Sequence, residues 1–189
     1  MNTLNTNGTE NGHSFVDLGL PSGLLWATCN VGAESPEQAG LYFAWGETAG
    51  YTATQVKEGK RRFDFKSYIL LHEPSILHFD YLTPEYDAAH INMGGKWRMP
   101  TKAELQELYD LTTSTFKKEY KKDHLEVCSI LTSKINGNTL VLPVAGYVLG
   151  QDIFRNNEYC HYWYSDLDYY NVKYEEFIEG YTVRGVCER

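Results

Sequence analysis

Gly94-Gly95-Lys96-Trp97-Arg98-Met99-Pro100-Thr101-Lys102-Ala103-Glu104-Leu105 sets the reading of the whole chain. Met99-Pro100 leads into Thr101-Lys102-Ala103-Glu104, a capping box. The Thr101 hydroxyl can accept from the amide three residues on, while Glu104 reaches back to the Thr101 amide. Leu105, Leu108, Tyr109 and Leu111 follow at helical spacing and predict one apolar face. A shorter helix is expected just upstream, over Glu85-Tyr86-Asp87-Ala88-Ala89-His90.

On either side the pattern turns to strands. Val16 to Leu25 reads as a strand, a Pro21-Ser22-Gly23 turn and the start of a second strand, since Pro fixes φ and Gly accepts positive φ. Leu25 to Val31 reads as a buried strand. Ser35-Pro36-Glu37 has the form of a brief helix start, ending near Gly40. Tyr42-Phe43-Ala44-Trp45-Gly46 returns to core. Residues 48–83 carry little periodicity and read as a long irregular insertion with at most one short element. After His124, strands are expected at Glu126–Ser133, Leu140–Ala145, Tyr162–Ser165, Lys173–Ile178 and Tyr181–Cys187. Asn136-Gly137 between the first two favours a type I′ hairpin turn. Two central helices flanked by strands at both ends point to an α+β fold whose antiparallel sheet brings the termini together.

The 189 residues with an apolar share of 42% suffice for one domain with a real core. The N-terminal stretch Met1 to His13 is polar and rich in Asn, Thr and Gly. It lacks the charged and apolar parts of a signal peptide and is expected to be a disordered tail. The domain then runs over 14–189. Secretion or surface display is the expectation, through a signal not present in this chain; a protein never exported by that route is the alternative. A net charge of -8 argues against nucleic acid as partner, which would require a basic footprint. No apolar run reaches the ~18 residues that a membrane span needs, so no membrane insertion is expected.

From Tyr147 to Arg189 the composition changes. Eight of the chain's 15 tyrosines lie there, interleaved with Asn, Asp, Ser, Cys and His. No single period organises them. Tyr offers a stiff amphipathic contact surface and the small polar residues offer adaptable hydrogen bonds, which is the composition of a recognition surface. A Tyr-rich edge of a β-domain with half-buried rings fits equally. The candidate ligand contacts are Asn157, Tyr159, His161, Tyr162, Tyr164, Asp166, Asp168, Tyr169 and Tyr170. Trp26, Trp45 and Trp97 sit in apolar segments and are expected in the core, while Trp163 is open between core and ligand.

Several segments together resemble the family called the Fibrobacter succinogenes major paralogous domain. They are Val16-Asp17-Leu18-Gly19-Leu20-Pro21-Ser22-Gly23-Leu24 with Trp26 to Ala33, Tyr42-Phe43-Ala44-Trp45-Gly46-Glu47, and Asp87-Ala88-Ala89-His90 with Gly94 to Leu105. Leu142 to Tyr147, Tyr162-Trp163-Tyr164-Ser165 and Val183-Arg184 complete the set. The resemblance covers roughly 14–189 and implies a C-type-lectin-like fold, with two helices packed on antiparallel sheets and the N- and C-terminal strands paired. Trp97 to Glu104 also resembles the second-helix start of formylglycine-generating enzymes and of the variable proteins of diversity-generating retroelements. In those variable proteins the C-terminal part is diversified. The chain departs from the common family pattern where Gly185 follows Arg184 and where Tyr164 follows Trp163.

The implied function is a non-enzymatic domain that binds a protein or glycan ligand in recognition or adhesion. The alternative is a structural part of a surface appendage or cell-envelope assembly. No cofactor and no metal are expected: the sugar-and-calcium motifs of lectins are missing, and the six histidines lack metal spacing. The four cysteines, Cys29, Cys128, Cys160 and Cys187, make no C-x-x-C. If the termini pair, Cys29 and Cys187 fall in neighbouring strands, and a disulfide between them is one possibility among three pairings.

Overall fold

The computed structural model describes residues 7–72, 81–120, 125–166 and 176–189. Its architecture is α+β, with antiparallel sheets and few helices. The first sheet has the order β1 (Gly8–Glu10), β2 (His13–Asp17), β3 (Leu25–Asn30), β11 (Arg184–Cys187). The two ends of the chain therefore share a sheet. Arg184 lies opposite Asn30, Val186 opposite Trp26, and Cys187 opposite Leu25. The second sheet is β5 (Thr112–Tyr120), β6 (Leu125–Ser133) and β7 (Thr139–Pro143). Two short ribbons pair β4 (Tyr42–Phe43) with β10 (Tyr181–Thr182) and β8 (Tyr147–Leu149) with β9 (Asp152–Phe154). The helices are α1 (Ala53–Lys57), α2 (Ala88–Met93) and α3 (Lys102–Asp110). None among the described residues is long and apolar enough to cross a membrane.

The helix α3 forms as its sequence requires. Thr101 is extended (φ -79, ψ 164), its hydroxyl accepts from the Glu104 amide, and the Glu104 carboxylate accepts from the Thr101 amide at 2.8 Å. Arg98 grips the same carboxylate at 2.7 and 2.8 Å. Burial alone would raise the Glu104 pKa, but the Arg98 hydrogen bond and the Thr101 amide outweigh it and hold the group below its ordinary value of 4.5. Thr101→Ala removes one cap bond and is expected to cost about 1 kcal/mol in urea unfolding.

Asp87 joins the other motif segments. One carboxylate oxygen caps α2 at the His90 amide (2.9 Å); the other accepts from the Met99 amide (2.8 Å). The spacing between Asp87 and Met99 thus encodes a staple between two helix starts. Three tryptophans place their indole N–H on carbonyls far away in sequence: Trp45 on Tyr164, Trp97 on Glu10 and Trp163 on Phe43. All four tryptophans, Trp163 included, are buried.

Several expectations are corrected. Gly8–Glu10, read as part of a disordered tail, is a strand. It pairs with β2, and Asn11 and Glu10 tie the hairpin to Met93 and Lys96. Ser35 to Gly40 makes turns rather than a helix, because the chain loops back between Val31 and Leu41, closed by the Leu41 amide donating to the Val31 carbonyl. Gly40 (φ +74) permits this: a Cβ there would sit 2.4 Å from the Val31 oxygen.

The turn between β6 and β7 is wider than type I′, with only Gly137 at positive φ. The side chains of Asn136 and Asn138 are instead used as donors to the Asp17 carbonyl, at 2.9 and 2.8 Å. Tyr162–Ser165 is an extended segment without a strand ladder. Glu176–Ile178 is a 3-10 turn, and 173–175 lie outside the described residues.

The insertion at 48–83, expected to be irregular, is packed into the core over its described part. Val56, Phe63, Tyr68 and Leu70 are buried, and Phe63 exchanges two 2.8 Å backbone bonds with Gly150. Arg61 meets the buried Glu47 carboxylate at 2.6 and 2.7 Å.

The Cys29–Cys187 disulfide is also corrected. Cys187 faces Leu25, so Cys29 lies four residues further along, roughly 13 Å away at the strand rise. A disulfide needs Cα atoms within about 7 Å, and all four thiols are free.

Candidate ligand-binding cleft at the carboxyl-terminal segment

The segment 155–166 is shaped by its backbone before its rings are considered. Arg155 and Asn157 adopt left-handed φ values of 52 and 67, and Gly146 one of 62. Tyr159 donates to the Arg155 carbonyl, Gly146 to Tyr159, and Asn157 to Val144. This compact turn abuts the Gly146 backbone so closely that a Cβ on Gly146 would stand 2.1 Å from the Phe154 oxygen. The chain then runs alongside β10, with the Trp163 amide donating to the Thr182 carbonyl and the Thr182 hydroxyl to the His161 carbonyl.

The result is a continuous run of rings. Tyr147 stacks on Phe154 (centroids 5.6 Å apart), and Tyr181 stacks on Trp163 at 4.3 Å. His161 lies between them, 5.4 Å from Tyr147, 5.1 Å from Tyr181 and 6.0 Å from Tyr159. The Arg155 guanidinium sits 5.0 Å from the Tyr159 ring centre. Tyr181 donates its hydroxyl to Glu179 at 2.7 Å. Facing this run, α3 presents Lys102, Gln106 and Tyr109, positions four and three apart on one helix side. Between α3 and the His161, Trp163 and Tyr181 part of the run opens a cleft of about 460 Å³, lined also by Trp45, Cys160, Tyr162 and Tyr164, with Tyr147 and Tyr159 beyond its rim.

The expected contacts are distributed unevenly. Tyr159 is exposed (51%) on the ring run, and His161 and Tyr164 are half-buried along the cleft. Asn157 is turned away to a second hollow beside Tyr42 and Pro143. Tyr162 is a framework residue, 7% exposed. Its hydroxyl reaches the Pro143 carbonyl and the buried Arg184, so little of it remains for a ligand. Asp166 accepts from the Lys102 amide at 2.5 Å and so holds the first turn of α3. Asp168, Tyr169 and Tyr170 lie outside the described residues. Sequence reasoning missed Tyr147 and Tyr181, which bracket the Tyr-rich stretch, and the α3 wall, whose polar positions carry no signal until the tertiary fold places them.

Burial lifts the thiols of Cys128 and Cys160 to about 11, so both stay protonated at neutral pH. Among the described residues no three His, Cys, Asp or Glu side chains gather to hold a metal ion.

The His161 Nε2 is buried with no hydrogen-bond partner among the described residues. Burial, then the Arg155 charge, pushes its pKa below the ordinary 6.5. The unfolded chain therefore takes up this proton first on acidification. The stability tied to neutral His161 is complete above 6.5 and is lost as the pH falls through that value toward the lower folded-state one. An NMR titration is expected to place the His161 midpoint below 6.5; a midpoint above it would contradict the burial of this ring. No family model, no curated protein and no solved structure matches this chain.

Proposed function

We propose that this chain is a non-enzymatic recognition domain of C-type-lectin-like architecture, displayed outside the cell, that holds its ligand in the cleft between α3 and the ring run of residues 147–181. The observation that carries this reading is the ring run itself. Tyr147, Tyr159, His161, Trp163 and Tyr181 are held in mutual contact by backbone bonds on both sides, beside a cleft of about 460 Å³. Aromatic residues fixed before binding lose little entropy on contact, and such residues supply most interface hot spots. The flanking small polar residues among 156–166 fit a surface that is diversified in sequence while its framework stays fixed. The sharing of one sheet by both ends, with the Asp87 and Thr101 staples at the helix starts, suits such a framework.

Glycan and cell-surface protein arrays probed with the wild-type chain test the proposal. Bound features should fade when Tyr159 and Tyr181 are both replaced by Ala. Features that persist unchanged would remove the cleft from the interaction.

A further inference from the structure

The strand β5 is the most exposed regular segment among the described residues. It spans nine residues, Thr112–Tyr120, and pairs with β6 without a bulge from Thr112 opposite Ser133 to Tyr120 opposite Leu125. The inner strand is buried on both faces (Val127, Cys128, Ser129, Leu131), whereas Thr113 to Lys118 of β5 are exposed on both. Among the described residues no strand lies beyond it. The outer strand β1 of the first sheet has only three residues, and β7 is covered by Arg184, which donates to the Val141 carbonyl. A long open edge of this kind offers a row of main-chain donors and acceptors to another strand.

Lysines on an edge strand usually deter pairing, so the side chains decide which partner fits. Laid antiparallel against itself about Phe116, β5 pairs over its whole length. Phe116 then meets Phe116 of the second copy, Thr112 meets Tyr120, Ser114 meets Lys118, Thr115 meets Lys117, and Thr113 meets Glu119. No like charges stand directly opposite, and Lys117 carries its own counter-ion in Glu119 at 3.1 Å. The same alignment covers Phe116 and Tyr120, which are 65% and 84% exposed in the single chain. Directly opposed aromatic pairs stabilise a sheet, and directly opposed like charges destabilise it.

We propose that this chain self-associates through β5, two copies joining their three-stranded sheets about a twofold axis at Phe116. The contact is a single strand edge, at the small end of specific interfaces, so the dimer is weak and concentration-dependent. It leaves the ligand cleft out of the contact and stands independently of the function proposed above.

Sedimentation equilibrium on the full chain, up to ~1 mM, is the test. Wild-type protein should show a monomer–dimer equilibrium. Phe116→Lys places two lysines face to face on the axis and should weaken association by about tenfold or more. Ile91→Lys, at an exposed position on α2 away from β5, should leave association unchanged, and thermal melts should show both variants folded. A single monomeric species across the whole range, or a dimer that Phe116→Lys leaves intact, would overturn the proposal.

Discussion

Replacing Arg184 with Leu should destabilise the chain by about 3–5 kcal/mol, the largest single effect expected. Arg184 is 1% exposed. Its Nε donates to the Asn30 side chain at 2.8 Å, one terminal nitrogen to the carbonyls of Ala27 (2.8 Å) and Thr28 (2.6 Å), and the other to Val141 at 3.0 Å. One guanidinium thus joins β3, β11 and β7, sewing the two main sheets together. Burial opposes its charge, and the Tyr162 hydroxyl offsets part of that opposition. Leu fills the volume and removes the desolvation penalty, yet it strips the donor from four acceptors, three of them buried, and each buried unsatisfied acceptor costs about 1–3 kcal/mol. Lys cannot reproduce the planar fork and should recover little of the loss. Against a typical total of roughly 5–15 kcal/mol, the variant should sit near the edge of folding. Urea unfolding that places Arg184→Leu within about 1 kcal/mol of wild type would contradict the role of this clamp.

Truncating Tyr181 to Ala should weaken ligand binding by about 2 kcal/mol or more, roughly 30-fold. Tyr181 is the central ring of the cleft wall: it stacks on Trp163 at 4.3 Å and touches His161 at 5.1 Å and Tyr147 at 6.2 Å. Its backbone is fixed by pairing with Phe43 and its hydroxyl by Glu179. Ala therefore removes contact area and the support of three neighbouring rings together. Tyr181→Phe keeps the ring while losing the hydroxyl that donates to Glu179, so most of the affinity should remain. Titration calorimetry with a ligand found on the arrays separates the two variants; equal losses for Ala and Phe would shift the emphasis from the ring to the hydroxyl.

Where the fold was legible, the signal was local chemistry. The Thr101–Glu104 box is readable because both partners lie within one turn, and the tryptophan-bearing segments because large rings need burial. Pairing of the chain ends followed from the order of elements. Strand β5 was not legible, because TTSTFKKEY is exposed on both faces and shows no two-residue alternation. The packing of the insertion was hidden for another reason: Phe63 and Tyr68 act through partners at Gly150 and Trp45.

The site was half-legible on similar grounds. Composition marked the segment that carries the ring run, but inward and outward tyrosines look alike in sequence. Tyr162 points to Arg184 while Tyr159 points to solvent. Gly185 has a packing reason visible only in three dimensions: a Cβ there would lie 2.7 Å from the Met93 sulfur and 3.2 Å from Trp97.

The most direct test of the cleft is chemical-shift mapping of the isotope-labelled chain, titrated with a ligand identified on the arrays. Changes should concentrate on the Trp163 and His161 side chains, Tyr181, and the exposed side of α3 at Lys102 and Gln106. Changes confined to the polar hollow around Thr28 and Asn92, with the ring run silent, would contradict the placement of recognition in this cleft.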